Sequence, residues 1–250
     1  MAQSYEHKTK IDSRDVDGLG HCRASALLGH LQEAATQAGE NGGFGRATMR
    51  ERHNGFWMLT RMWYHLDRPL KWGEEITIHT WHRGGKGAVS YRDYDIYDGA
   101  GICIGEGVSG WVMVDYDSHR MIRLSTVTEM ATTHGGDLCK TKTLNKIKAP
   151  EEMEIIGQRQ MRYSDTDING HVNNTRYADF ACDALEMEKL PEGWFLSEMQ
   201  IGYLAECLPG EVLDICHGVD GEDGRYIGGR DEQGKARFEV AVRFAQEKSN

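Results

Sequence analysis

One segment of the chain occurs twice. Asp15-Val-Asp17-Gly-Leu-Gly20-His21 and Asp165-Thr-Asp167-Ile-Asn-Gly170-His171 align at a constant spacing of 150 residues, 15 against 165 and 21 against 171. Each copy runs into an amphipathic helical pattern: Leu27, Leu28, Leu31, Ala34, Ala35 and Ala38 in the first half, Tyr177, Phe180, Ala181, Ala184 and Leu185 in the second. Farther on, Trp57, Met62, Gly73, Glu74 and Ile76 match Trp194, Met199, Gly210, Glu211 and Leu213 at a shorter spacing of 137, 73 against 210. The shorter spacing gives the first half a longer helix-to-strand loop, around Gly39 to Asn54. A repeat this long in 250 residues exceeds any solenoid unit. The chain therefore reads as a duplicated domain, each copy of about 120 residues and able to bury its own core.

Strand patterns follow each helix. Residues 57–66, 75–83, 89–97 and 102–116 mix β-branched and aromatic residues with charged ones, separated by turns such as Gly84-Gly85 and Asp98-Gly99-Ala-Gly101. The second half repeats the order: strand 154–162, helix 174–187, then strands 196–204, 211–219, 225–230 and 236–244. Such mixed runs suit antiparallel sheets with one solvated face. Between the halves the strand pattern lapses, and Lys140, Lys142, Lys146 and Lys148 fall in what reads as a connection. The expected organisation is an N-terminal domain over 1–117, a linker over 118–150 and a C-terminal domain over 151–250.

The formal charge is −10 and the pI about 5.6, with acidic residues scattered, which argues against a nucleic-acid partner. Cys22, Cys103, Cys139, Cys182, Cys207 and Cys216 show no close paired spacing, and Met1-Ala-Gln-Ser-Tyr-Glu-His-Lys8 lacks the apolar segment of a secretory signal. Reduced thiols and a cytoplasmic location are expected. No run approaches the roughly 20 apolar residues of a membrane span. Cys216-His217 has no CxxC or HxxxH companion, so no metal site is expected.

The second copy of the repeat is chemically richer. Asp165, Asp167, Asn169, His171, Asn173 and Asn174 crowd into a strand-to-helix corner, where Asn173 or Asn174 can cap the helix. Free N–H groups at a helix start can hold an oxyanion or a carbonyl. Any one of these residues alone suits a capped turn. The whole string reads as a catalytic cluster. In the first copy, Leu19 replaces Asn169, while Arg23 and Ala24 replace the Asn pair.

Tyr163-Ser-Asp-Thr-Asp167-x-Asn169-Gly-His171-Val-Asn-Asn-x-x-Tyr177 resembles the signature of acyl-acyl-carrier-protein thioesterases of the double hot-dog type. The resemblance runs from Tyr5 to Ala245 and includes Gly55-Phe-Trp57-Met-Leu-Thr-Arg61-Met62 and Trp111-Val-Met-Val-Asp115. It implies an α+β fold of tandem hot-dog domains, each a long helix wrapped by an antiparallel β-sheet. It also implies hydrolysis of acyl thioesters on acyl carrier protein, releasing free fatty acid and ending elongation without a cofactor. Asp167, Asn169 and His171 stand at the family's catalytic positions, and a glutamate expected on a following strand is matched by Glu206. Leu204 and Ala205 depart from the basic residues that many plant members carry there.

The roles this suggests are Glu206 as the base activating water, Asn169 and His171 positioning water and carbonyl, and Asp167 anchoring the loop. In a rival scheme Asp167 attacks the thioester or acts as base. A nucleophilic Cys207 is a further alternative, set against neighbours Leu204, Leu208 and Pro209 that look like strand-end packing. Pro69 repeats the position of Glu206, so the first copy reads as inactive.

Asn173 and Asn174 join the substrate-binding set. Trp57, Met58, Met62, Trp111 and Met113 are candidate walls of an acyl-chain pocket, with plain core packing as the alternative. The four lysines are either a solvated linker or a docking patch for the acidic carrier, with Arg159, Arg162 and Arg176 as further candidates. Two hot-dog units can satisfy each other as a pseudo-dimer, and exposed sheet edges can still pair chains into a homodimer. The competing functions are an acyl-CoA thioesterase, an enoyl-thioester hydratase, against which Gly170-His-Val-Asn-Asn174 argues, and an acyl-binding module without turnover.

Overall fold

The turn residues and the alternating runs between them predict antiparallel strands in each half, and a computed structural model of the chain contains five strands in each half. It describes residues 3–132, 134–138, 140–221 and 224–247; Cys139 lies outside these. Two compact units form. One comprises Met1–Asp12, Gly29–Tyr64 and Gly73–Leu144, the other Ser13–Leu28, His65–Trp72 and Asn145–Asn250.

In the first unit the sheet order is β1 (Ser4–Lys10), β3 (Glu75–Lys86), β4 (Val89–Asp98), β5 (Cys103–Asp115) and β2 (Gly55–Leu66). The recorded pairings are antiparallel: β1 pairs β3 from Ser4↔Trp81 to Lys10↔Glu75, and β4 pairs β5 from Ser90↔Trp111 to Tyr97↔Cys103. Ile76, Ile78, Tyr94, Ile96 and Met113 are buried, as period-two alternation requires of a core-facing side. The helix α1 (Ala24–Asn41), which belongs to this unit from Gly29 onward, buries the expected stripe from Leu27 to Ala38. A second helix, α2 (Arg46–His53), occupies the stretch expected to be loop. Met49 is its only buried residue, so it carries no apolar period. The strand β1 was likewise outside the expected elements, because Ser4–Lys10 is almost wholly polar.

The second unit orders its strands β7 (Trp194–Tyr203), β10 (Ala236–Gln246), β9 (Gly224–Arg230), β8 (Val212–Asp220) and β6 (Glu154–Gln160). The helix α3 (Arg176–Ala184) buries Tyr177 and Phe180, whose ring centroids lie 4.9 and 6.4 Å from that of Phe238. Each such side chain stabilises by about 1.5–3 kcal/mol when buried, enough to hold a helix too short to persist alone. It is shorter than the expected 174–187. Glu186 takes a left-handed conformation (φ 51°) just beyond it, and Pro191 follows.

The duplication is visible bond for bond at the sheet entrance. Ile11 N–H donates to Glu74 O at 2.8 Å and Gly73 N–H to Ile11 O at 2.8 Å; Met161 N–H donates to Glu211 O at 2.8 Å and Gly210 N–H to Met161 O at 2.9 Å. The stretch read as a linker belongs to the first unit as far as Leu144. Lys140 Nζ lies 2.6 Å from both Asp95 Oδ1 and Glu106 Oε2, Lys142 Nζ sits 3.8 Å above the Trp63 ring, and Leu144 is buried against Trp63 and Val108. Side chains fasten this stretch to the sheet, which is why it shows no strand pattern. Among the described residues no helix is long and apolar enough to cross a membrane.

Candidate active site

The polar corner is built from the backbone outward. After β6, a 3-10 turn over Tyr163–Asp165 carries Asp165 into the interior, fully buried. Its Oδ2 accepts from Arg162 N–H at 2.8 Å, and its Oδ1 faces Arg159 at 3.2 Å and Arg176 at 3.3 Å. A buried carboxylate needs such compensation, and these contacts make it an anchor for both flanks of the corner.

The next turn folds on itself. Asp167 N–H donates to His171 O at 3.0 Å and Gly170 N–H to Asp167 O at 3.0 Å, with Gly170 at φ 78°, a conformation that favours glycine. Asp167 Oδ1 accepts from Asn169 N–H at 2.8 Å, and Asn169 Nδ2 lies 3.4 Å from Asp167 Oδ2. Asn173 Oδ1 accepts from Thr175 N–H at 2.9 Å and Thr175 Oγ1 at 3.0 Å, closing a local turn, and the helix proper begins at Arg176, with Thr175 rather than the expected Asn173 or Asn174 at its N-cap position. Asn174 sits half-buried in the same turn.

The first copy makes the same loop without the same chemistry. Asp17 N–H donates to His21 O at 2.9 Å, Gly20 N–H to Asp17 O at 3.1 Å, and Asp17 Oδ1 accepts from Leu19 N–H at 2.9 Å. Cys22 N–H donates to Leu70 O at 2.7 Å where Val172 N–H donates to Cys207 O at 2.9 Å. Gly20 has φ 77° against 78° for Gly170. An exposed Leu19 stands in place of Asn169, and Pro69 in place of Glu206. One loop shape thus carries two different sets of side chains.

The bond from Val172 to Cys207 O sets Glu206 beside the corner. His171 Nδ1 lies 3.4 Å from Glu206 Oε1, an ion-pair contact between side chains 34% and 51% exposed. Asp167 is half-buried and Asn169 exposed, so Asp167, Asn169, His171 and Glu206 meet at one solvent-open corner. Arg237 Nη1 donates to Glu206 O at 2.8 Å, while its other nitrogens reach Glu211 Oε1 at 3.2 Å and Asp231 Oδ2 at 3.0 Å. The sequence reading missed this supporting arginine. It lies on β10, far along the chain, with no motif around it.

Cys207 is fully buried, and burial pushes its thiol pKa up, against a hydrogen bond from Tyr177 that lowers it. A thiol held protonated in an apolar setting is a poor nucleophile. Among the described residues no three His, Cys, Asp or Glu side chains gather as a metal site would require.

The candidate pocket residues separate within the first unit. Trp57 packs against Phe44, Met49, Met113, Val127 and Met130, and its Nε1–H donates to Phe44 O at 3.0 Å. Its neighbour Met58 points to the opposite face and is exposed. Met62 is fully buried, and Trp111 is half-buried with its Nε1–H donating to Ser109 Oγ at 2.7 Å. Of the candidate docking cations, Lys140, Arg159 and Arg176 are engaged by carboxylates and Lys142 by Trp63, whereas Lys146, Lys148 and Arg162 are exposed.

The model of the acyl-ACP thioesterase N-terminal domain matches residues 2–130, and that of the acyl-ACP thioesterase C-terminal domain matches residues 148–247. The chain is 24% identical to oleoyl-acyl carrier protein thioesterase 1 of Arabidopsis thaliana, over 84% of this chain and 62% of that protein. It is 27% identical to an acyl-[acyl-carrier-protein] hydrolase of Cuphea viscosissima, over 86% and 54% respectively. It thus spans less than two thirds of these plant relatives. The fold is similar to that of a 12:0-ACP thioesterase from Umbellularia californica, with a TM-score of 0.81 at 19% identity, covering 98% of each chain. An acyl-ACP thioesterase from Bacteroides thetaiotaomicron gives 0.79 at 23% identity, over 97% of this chain and 98% of that one. These likenesses establish the double hot-dog fold, and the two matched models, together covering most of the sequence, make this chain a member of the acyl-ACP thioesterase family.

Proposed function

We propose that the protein hydrolyses acyl thioesters carried on acyl carrier protein, releasing a free fatty acid and so ending elongation. The contact between His171 and Glu206, at 3.4 Å beside an open turn, carries this reading. Thioester hydrolysis needs a base for water, a donor for the developing oxyanion and a scaffold that keeps both in register. Glu206 takes a proton from water as the water oxygen attacks the carbonyl carbon. Asn169 Nδ2 donates to the oxyanion, and His171, steadied by Glu206, orients the attacking water. Collapse of the tetrahedral intermediate breaks the C–S bond, and the proton held by Glu206 passes to the departing thiolate.

Asp167 acts as the loop anchor in this scheme. Both of its oxygens face Asn169, and Asp17 forms the same turn in a copy that has Pro69 in place of the glutamate. That parallel weighs against Asp167 as nucleophile. Trp57 and Met113, in a methionine-rich cluster, support a role for the first unit in walling the acyl chain. Exposed Lys146, Lys148 and Arg162 are the cations best suited to an acidic carrier.

The test is the rate of free-thiol release from a ladder of acyl chains, each offered on acyl carrier protein and on coenzyme A at equal concentration. A strong preference for the protein carrier supports the proposal and gives the chain length. Equal or faster release from coenzyme A overturns the carrier, and no release from either overturns hydrolysis.

A further inference from the structure

Glu206 stands between strands rather than on one. β7 ends at Tyr203 and β8 begins at Val212, so residues 204–208, which present the carboxylate, lie outside the sheet ladder. Each of them is nevertheless fixed by one hydrogen bond. Leu204 and Ala205 N–H donate to Arg237 O at 2.9 and 3.1 Å, and Glu206 O accepts from Arg237 Nη1 at 2.8 Å. Cys207 O accepts from Val172 N–H at 2.9 Å, and Leu208 N–H donates to Glu211 Oε2 at 2.8 Å. Glu211 Oε1 in turn lies 3.2 Å from Arg237 Nη2. All of these restraints except the one on Cys207 therefore run through Arg237, directly or by way of Glu211.

A break in register aims the arginine. β10 pairs β9 through Ala236↔Arg230 and Phe238↔Gly229, and the register shifts between the two pairs, which leaves Arg237 as the extra residue of a bulge. Bulges re-aim a side chain in this way. Asp231, in the turn between the two strands, fixes the guanidinium. Its Oδ2 accepts from Arg237 Nε at 3.0 Å, while its Oδ1 accepts from Gln233 N–H at 3.1 Å and Lys235 N–H at 2.9 Å. A planar guanidinium can serve several acceptors in set directions, which an ammonium on a flexible stem cannot. The far end of the clamp reaches the polar corner, because Glu211 O accepts from Met161 N–H at 2.8 Å directly ahead of Arg162.

We propose that Arg237 is a positioning residue for the reaction: by holding residues 204–208 it sets the Glu206 carboxylate against His171, 3.4 Å away, and so governs the rate through Glu206 rather than through the substrate. This rests on Glu206 as the base. The Glu206 side chain is 51% exposed, and an exposed ion pair with His171 is too weak to hold it in place, so its direction is inherited from the backbone beneath it. Displacing a reacting group by about 1 Å can cost about 10²-fold in rate.

Thiol release by the full chain, measured for Arg237→Met, Glu206→Gln and the double variant, tests this. Arg237→Met should lower kcat at least about tenfold with KM within about threefold, because the arginine orients a group that works in the transition state. In the Glu206→Gln background the same change should cost less than about threefold, since a side chain without basicity gains nothing from being aimed. A merely structural arginine would give the same factor in both backgrounds, and that result would overturn the proposal. So would a smaller loss of kcat in Arg237→Met, or a loss confined to KM. Should Arg237→Met fail to fold, Glu211→Gln carries the same cycle. Its amide offers one acceptor oxygen where two carboxylate oxygens hold the Leu208 N–H and the arginine, so kcat should fall about 3- to 10-fold, and again not beside Glu206→Gln. Full activity of Glu206→Gln alone would overturn the base assignment itself, whatever the arginine does.

Discussion

Replacing Glu206 with Gln keeps the shape of the side chain and removes its basicity. General-base catalysis contributes about 10²–10⁴-fold, so the turnover should fall by that factor, equivalent to about 2.7–5.4 kcal/mol in the barrier. Stability should barely change. The side chain is 51% exposed, its recorded partner is a 34% exposed His171 at 3.4 Å, and such pairs are worth about 0–1 kcal/mol. The Arg237 bond to the Glu206 carbonyl survives the substitution, so the segment stays beside the corner. The predicted Tm change is under about 4 °C, read by calorimetry alongside thiol release from an acyl-carrier-protein substrate. Retention of more than about a third of the turnover would refute Glu206 as the base. A large rate loss accompanied by a large fall in Tm would instead assign it a structural role.

Asp167→Asn keeps an acceptor for the Asn169 N–H, so the anchoring role predicts a rate loss under about tenfold and no trapped acyl-enzyme; a loss beyond about 100-fold with an acyl adduct in mass spectra would restore the rival scheme. Met62→Ala should destabilise by about 2–5 kcal/mol in urea, because the side chain is fully buried. Met58→Ala should stay within about 0.5 kcal/mol, being exposed, and a chain-length change in Met62→Ala without loss of stability would contradict core packing. The folded pKa of His82 is depressed from 6.5 to about 4, so its contribution is fully present above pH 6.5 and lost as pH falls toward 4. That amounts to about 3 kcal/mol, and His82→Gln should flatten the Tm profile between pH 7 and 4.5 by a comparable amount; parallel profiles would refute it.

The repeated Asp-x-Asp-x-x-Gly-His string carried the duplication in the sequence, and both turns close with matching bonds because their hydrogen bonds run between near neighbours. Alternation located the strands from β2 through β5 and from β6 through β10, since burial on one face imposes a period that side chains alone record. The single buried Met49 left α2 without a stripe, and the side-chain contacts of Lys140 and Lys142 disguised as linker a stretch that adheres to its sheet. Apart from β1 and α2, the amino-acid order determined where helices, strands and turns form, and it set which residue types stand in the corner. Only tertiary structure decided that His171 meets Glu206 and that Arg237 supports that segment. Those relations depend on strands returning from distant parts of the chain, and a local period has no register for distance.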